Sequence, residues 1–106
     1  MIFSHFARIE TFLTITRENS FSKAAAKLAI SQPAATQHIQ LLEKAVEMKL
    51  FKRTRETILL TEEGKRFYLL ALEVEKAYKS AESKIALRFL DNDFEGKSTS
   101  KRRRRL

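Results

Sequence analysis

The sequence predicts a mainly α-helical fold: three short helices, a small β-hairpin and a long final helix. The chain has only two glycines and one proline in 106 residues, which leaves few tight turns and favours helices. Apolar residues recur at helical spacing in four segments, and two short apolar runs flank a polar turn between the third and the fourth. We therefore expect a helical domain that carries one hairpin.

Length and composition limit the kinds of protein that this chain can form. A chain of 106 residues has room for one compact domain and for no large binding cavity. It has no cysteine, and neither His5 nor His38 has a carboxylate at metal-ligand spacing. No stretch approaches the roughly 20 apolar residues of a membrane span, and the N-terminus lacks a signal-peptide core. We expect a cytoplasmic protein with no cofactor, metal or membrane partner.

The positive charge is unevenly distributed along the chain. The formal net charge is +8, but residues 96–106 hold six basic residues and no acidic ones. Residues 1–60 hold nine basic and five acidic residues, whereas residues 61–95 hold six and eight. The total suggests a polyanionic partner, but most of it lies in the terminal run. A prediction of nucleic-acid binding must therefore rest on motifs.

The first two helices are predicted by capping residues followed by apolar stripes. Ser4 stands at the start of a helix over residues 4–18, and Ser20 stands at the start of a shorter second helix. Lys23 and Lys27 lie opposite the apolar stripe of the second helix. The stripes consist of Phe6, Ile9, Phe12 and Leu13 in the first helix and of Phe21, Ala24, Ala25 and Leu28 in the second.

The third helix is expected to begin after Ser31, because serine is a good N-cap and Pro33 is tolerated in a first turn. Two helices joined by a short connection around residues 29–31 have the layout of a helix-turn-helix. Gln and Thr side chains can hydrogen-bond to base edges and phosphates, although mere solvation is the alternative. The expected buried residues are Ala35, Ile39, Leu42 and Val46, and the exposed ones are Gln32, Thr36, Gln37 and Gln40.

The last helix is expected to begin at Thr61 and to run to about Leu90. Thr61 is a capping residue, and Glu62 and Glu63 complement the positive end of the helix dipole. Its apolar stripe is longer than a domain of this size can cover, so part of it is expected to pack on a second copy. A purely intramolecular core is the alternative. The stripe comprises Phe67, Leu70, Val74, Ala77, Ala81 and Ile85, with Tyr78 beside it.

These patterns divide the chain into three expected segments. Residues 1–61 form the domain with the hairpin, residues 62–90 form a linker and dimerisation helix, and residues 91–106 form a disordered basic tail. The KRRRRL run is consistent with nonspecific attraction to phosphates, with a remnant of truncation and with a localisation signal.

The motifs together resemble the N-terminal domain of LysR-type transcriptional regulators, a bacterial family. The stretch FSKAAAKLAISQPAATQHIQLLE is followed by LFKRT and LLTEEG, in the order and spacing that the family shows. The resemblance covers residues 4–90. It implies a winged helix-turn-helix that dimerises through the long helix and binds double-stranded DNA with the third helix in the major groove.

The resemblance also implies which side chains contact DNA. By matching motif positions, Gln32, Pro33, Thr36 and Gln37 would face bases, and Ser22, Ser31, Arg53 and Thr54 would lie at phosphates. Three neighbours complete the candidate set: His38, Gln40 and Arg55. We expect His38 to be solvated or to face a phosphate, and pairing with Glu43 or Glu56 is the alternative for Arg53.

The chain differs from the family pattern in four respects. Gln40 and Leu41 replace a common basic pair at the third helix. Glu47 stands where the family normally has the glycine that ends the third helix, and Arg55-Glu56-Thr57 replaces a glycine-containing wing tip. The effector-binding domain that normally follows the linker helix has no counterpart in the 106 residues. No small-molecule effector site is therefore expected in this chain.

Three functions fit these features. The first is a homodimeric, sequence-specific DNA-binding regulator. The second is a short partner that heterodimerises with a full-length relative and reduces its activity, and the third is a helical adaptor that binds protein through the stripe of the long helix. An enzyme is the least expected class, because the sequence lacks cysteine, a Gly-rich phosphate loop and grouped triad residues.

Overall fold

The computed structural model describes residues 5–90 and contains four α-helices and one hairpin. The predicted Ser4 cap and the predicted disordered tail at residues 91–106 lie outside the described residues. A π-helical segment, Ala86–Leu90, continues the last helix. The helices and the hairpin confirm the predicted mainly helical winged fold. The elements are α1 (Phe6–Glu18), α2 (Phe21–Leu28), α3 (Gln32–Val46), β1 (Phe51–Arg53), β2 (Ile58–Leu60) and α4 (Glu62–Ile85).

The chain divides into two compact units, Met1–Leu72 and Glu73–Leu106. The first unit contains α1, α2, α3, the hairpin and the first part of α4. In the second unit, Glu75 and Lys79 form an ion pair of 3.8 Å one helical turn apart, and none of residues 73–90 is buried. No helix within residues 5–90 has the length and apolar content needed to cross a membrane.

Four phenylalanines, which we call the aromatic cluster, connect the elements of the first unit. The Phe12 ring of α1 lies 5.1 Å from the Phe51 ring of β1 and 5.0 Å, edge to face, from the Phe67 ring of α4. Phe51 also lies 5.9 Å from Phe21 of α2. Edge-to-face and tilted pairs at such distances add stabilisation beyond the burial of their area.

Side-chain caps confirm the predicted starts of α2, α3 and α4, whereas α1 begins after His5, which makes no side-chain cap. Ser20 Oγ accepts a hydrogen bond from the Lys23 amide at 3.0 Å, and Ser31 Oγ accepts one from the Ala34 amide at 3.1 Å. Thr61 Oγ1 accepts one from the Gly64 amide at 2.8 Å. Each hydroxyl satisfies an amide that has no partner within its own helix, which sets where α2, α3 and α4 begin.

Thr61 also fixes the hairpin to α4. Its amide donates to the Leu50 carbonyl at 3.0 Å, and its hydroxyl donates to the Lys49 carbonyl at 2.6 Å. Gly64 packs so closely on the Leu50 carbonyl that a β-carbon at that position would collide with it. The Leu-Thr-x-x-Gly motif therefore joins the end of β2, the start of β1 and the first turn of α4.

The first three helices all end at a residue in the left-handed conformation, and none of these residues is glycine. Asn19, Ala29 and Glu47 have φ values of 53°, 59° and 56°. At the end of α3, the Glu47 amide donates to the carbonyls of Glu43 and Lys44, and the Met48 amide donates to Glu43 at 3.1 Å. Glu47 thus takes the conformation that glycine normally supplies at a helix end, at the cost of backbone strain.

We predict that Glu47→Gly raises the free energy of unfolding by about 1 kcal/mol, because glycine adopts the left-handed conformation without a β-carbon clash. Urea denaturation at matched protein concentration measures the change. Glu47→Ala is the control, since it removes the same carboxylate but keeps the β-carbon, and it should stay near the wild type. An equal gain from Ala would show that the carboxylate, not strain, limits stability.

Candidate nucleic-acid interface

Two shallow concavities lie side by side on the first unit and share Phe21 and Arg53. The turn concavity, about 300 Å³, lies between the starts of α2 and α3 and the hairpin turn. The strand concavity, about 460 Å³, lies between α3 and β1. Together they collect seven of the eleven predicted DNA contacts: Ser22, Gln32, Arg53, Thr54 and Arg55 in the turn concavity, and Thr36 and Gln40 in the strand concavity.

The helical period of α3 explains which of its polar side chains meet the hairpin. Gln32, Thr36 and Gln40 are four residues apart and therefore share one face. Pro33 and Gln37 are exposed outside both concavities. The predicted buried residues Ala35, Ile39 and Leu42 are buried, whereas Val46 is only half-buried.

Arg53 is held at the boundary between the two concavities by an aromatic ring. Its guanidinium carbon lies 3.9 Å from the centroid of the Phe21 ring, within the range of a cation–π contact. The side chain remains exposed. Because Phe21 belongs to the aromatic cluster, the position of this cation depends on the core as well as on β1.

Glu43 positions β1 beside α3, a role that sequence reasoning missed. One carboxylate oxygen accepts hydrogen bonds from the amides of Leu50 at 2.8 Å and Phe51 at 3.4 Å, and the other lies 3.7 Å from Lys49 Nζ. The carboxylate considered as an alternative partner of Arg53 is thus bound to the start of the hairpin. The Ile-x-x-Leu-Glu motif marks the residue but does not reveal what it binds.

Thr54 closes the turn of the hairpin with its own hydroxyl. Its Oγ1 accepts from the amides of Glu56 at 3.3 Å and Thr57 at 3.0 Å, and donates to the Thr57 carbonyl at 3.1 Å. The one hydroxyl proton is therefore used within the turn. The predicted contact of Thr54 with a phosphate remains a prediction, but the structure gives this side chain a role in shaping the turn.

Asn19 contacts the same turn from the end of α1. Its Nδ2 donates to Thr57 Oγ1 at 3.1 Å, and Thr57 Oγ1 lies 3.5 Å from Asn19 Oδ1. The two residues are 38 positions apart, and the sequence contained no signal for the pair beyond the tolerance of asparagine for left-handed conformations.

His38 is half-buried and bonded to α1. Its Nδ1 lies 2.7 Å from Thr11 Oγ1, and the Thr11 hydroxyl donates to the Ala7 carbonyl at 3.0 Å. Because the Thr11 hydroxyl proton is used at Ala7, the proton between Thr11 and His38 belongs to Nδ1. Thr11 thus holds one ring nitrogen against α1, and the predicted contact of His38 with solvent or a phosphate remains a prediction.

The side chains around the concavities carry a positive excess. Four exposed basic residues line them against two acids, Glu43, which is bound to the hairpin, and the exposed Glu56. The basic residues are Lys49, Lys52, Arg53 and Arg55. Among residues 5–90 there is no group of three or more side chains that could hold a metal ion. Exposed cations beside uncharged hydrogen-bonding side chains are the chemistry that binds a polyanion and reads base edges.

A three-helix core whose second and third helices are joined by a short turn, with a hairpin beside the third, defines a winged helix-turn-helix protein. Residues 6–65 match the sequence model of the bacterial regulatory helix-turn-helix protein, lysR family. The chain belongs to the LysR family.

Individual transcriptional regulators are similar to this chain in sequence. The chain is 36% identical over 80 residues to the HTH-type transcriptional regulator CitR of Bacillus subtilis, covering 76% of this chain and 28% of CitR. It is 36% identical over 75 residues to the HTH-type transcriptional regulator CfxR of Cupriavidus necator, covering 71% of this chain and 24% of CfxR. The chain thus spans about a quarter of the length of these regulators.

Solved structures agree in fold. The DNA-binding domain of BenM, crystallised with benA site 1 DNA, superposes with a TM-score of 0.70 at 32% identity, over 74% of this chain and 89% of that one. Vibrio fischeri DarR in complex with DNA superposes with a TM-score of 0.71 at 32% identity, over 76% of this chain and 28% of DarR.

Proposed function

We propose that the chain is a sequence-specific transcriptional regulator that binds double-stranded DNA as a homodimer, with α3 in the major groove. The observation that carries the proposal is the face of α3 formed by Gln32, Thr36 and Gln40, which lines concavities that also hold exposed arginines. The BenM and DarR structures, solved with DNA, support the same ligand class.

The base contacts are assigned to α3. Gln32, Gln37 and Gln40 are exposed, and an amide side chain can pair in two places with adenine in the major groove. Thr36 and Pro33 supply smaller contacts near the N-terminal end of the helix. These side chains carry no charge, so they are suited to hydrogen bonds with base edges rather than to ion pairs with phosphates.

The phosphate contacts are assigned to the hairpin and to two helix starts. Arg53 and Arg55 are exposed and positively charged, and Ser22 and Ser31 lie at the N-terminal ends of α2 and α3. Helix N-termini present amides and the positive end of the helix dipole, so they favour anionic groups. His38 has only Nε2 left for such a contact.

The dimer contact is assigned to the apolar stripe of α4. Phe67 is the exception, because its ring packs against Phe12 within the first unit. Leu70 in the first unit is 61% exposed, and Ile85 in the second is 53% exposed, so an intramolecular core does not cover them. The assigned residues are Leu70, Val74, Ala77, Tyr78, Ala81 and Ile85. A two-fold dimer presents two copies of α3 to half-sites about one helical turn, or a multiple of it, apart.

Replacing Gln32 and Thr36 with Ala should reduce the preference for specific DNA. We expect each lost base contact to cost about 1–3 kcal/mol of discrimination. The full chain is first used to select binding sites from random duplexes, and each variant is then titrated against a selected and a random duplex. Ser83→Ala, an exposed change on α4, is the control. If Gln32→Ala and Thr36→Ala both discriminate between the selected and the random duplex as well as the wild type does, these assignments are contradicted.

Arg55→Ala should weaken binding to selected and random duplexes alike and should lower the slope of log affinity against log salt by about one. The reason is that one phosphate contact fewer releases fewer condensed counterions. Fluorescence anisotropy across a salt series measures the slope. Lys76→Ala, which removes the same charge from an exposed position on α4, should leave the slope nearly unchanged. Equal slopes for both variants would assign the effect to net charge.

The double variant Leu70→Gln, Ile85→Gln should dissociate the dimer, because it removes two exposed apolar side chains from the stripe. Sedimentation equilibrium compares it with the wild type. Leu59→Gln is the matched control, since Leu59 is 47% exposed but lies on the hairpin. A wild-type chain that sediments as a monomer at all concentrations would refute the homodimer.

A further inference from the structure

We propose that Asn19 and Thr57 are positioning residues that hold the hairpin turn against the end of α1 and thereby direct Arg55 to a DNA phosphate. The inference deepens the proposed function and rests on it, because the target of Arg55 is the DNA backbone. Neither side chain is assigned a DNA contact of its own.

The contact between the two residues joins distant parts of the chain by their side chains. Asn19 Nδ2 donates to Thr57 Oγ1 at 3.1 Å, and the Thr57 hydroxyl is directed back towards Asn19 Oδ1 at 3.5 Å. Both residues line the turn concavity together with Arg55. The pair therefore lies at the edge of the surface assigned to DNA.

The hairpin turn needs such a support because its strands are short. Each strand has three residues, and the last paired residues are Arg53 and Ile58. A two-stranded hairpin of this length has little stability of its own. Residues 54–57 extend beyond the last pair, so their position depends on the contacts of the turn.

Thr57 is hydrogen-bonded to Thr54 at the other end of the turn. Its carbonyl accepts from the Thr54 amide at 2.9 Å and from Thr54 Oγ1 at 3.1 Å, and its amide donates to Thr54 Oγ1 at 3.0 Å. Arg55 lies between these two threonines in the sequence. Fixing Thr57 to α1 therefore fixes the backbone from which Arg55 extends.

Asn19 ends α1 through its backbone, so its side-chain amide is not needed for the helix end. Its φ of 53° and the bond from its amide N–H to the Ile15 carbonyl at 2.8 Å are backbone features that glycine would supply equally well. The side-chain amide is thus available for the hairpin turn, and Thr57 is the residue that it binds.

Arg53 has an independent support, which makes the proposal specific to Arg55. The Arg53 guanidinium carbon lies 3.9 Å from the centroid of the Phe21 ring, and the Arg53 backbone is paired with Ile58 in the hairpin. Loss of the Asn19–Thr57 contact should therefore release Arg55 and leave Arg53 in place. Contacts of α3 with bases should also be retained.

The test uses the full chain and a duplex chosen by selection from random sequences. Asn19→Gly and Thr57→Val should each weaken binding about three- to tenfold and lower the salt slope by about one. Phosphate ethylation interference should show the loss of contacts at the hairpin and unchanged contacts at α3. Thr57→Ser, which keeps the hydroxyl, should restore the wild-type slope and interference pattern.

A double-mutant cycle with Arg55→Ala isolates the route of the effect. If the contact acts through Arg55, Asn19→Gly in the Arg55→Ala chain weakens binding no further. Asn19→Gly should keep the fold, since glycine tolerates the same φ, and thermal unfolding checks this. If Thr57→Val does not fold, the result for Asn19→Gly decides the test.

Two outcomes separate the inference from the function on which it rests. A wild-type chain that selects no duplex overturns both. If the wild-type chain binds its selected duplex, two results overturn the positioning role alone. One is that Asn19→Gly and Arg55→Ala weaken binding additively, and the other is that Asn19→Gly leaves the salt slope unchanged.

Discussion

The packing of Phe12 is the interaction on which the first unit depends. The Phe12 ring is fully buried and touches both Phe51 of β1 and Phe67 of α4, while Phe51 also contacts Phe21 of α2. One ring on α1 thus sets the distance to the hairpin and to the long helix. Interiors are packed as densely as organic crystals, so a change in one member of the aromatic cluster displaces its partners.

The aromatic cluster also reaches the surface through Phe21, which carries Arg53 on its face. Polar contacts complete the attachment of the hairpin. Glu43 binds the amides at the start of β1, and Thr61 binds the carbonyls of Lys49 and Leu50. The hairpin is too short to be stable alone, so its position is imposed by α3 and α4. The proposed interface with DNA therefore depends on the order of the core behind it.

Local features of the fold were predictable because they depend on neighbouring residues. Helix spacing and the caps Ser20, Ser31 and Thr61 act within one turn, and the structure agrees with them. Glu47 marks where local reasoning was incomplete: the family pattern has glycine there, yet the residue takes the same left-handed conformation. The packing of the first unit outweighs a strain of about 1–2 kcal/mol.

The sequence by itself determined the elements, their order, the polar face of α3 and the family, because periodicity and motif spacing are properties of the linear chain. Only the tertiary structure decided which side chains meet. The contacts of Asn19 with Thr57 and of Thr11 with His38 span 38 and 27 residues, and Glu43 faces the hairpin rather than Arg53. A hydrogen bond requires its partners within about 3 Å, and no local pattern specifies where the chain brings such distant atoms together.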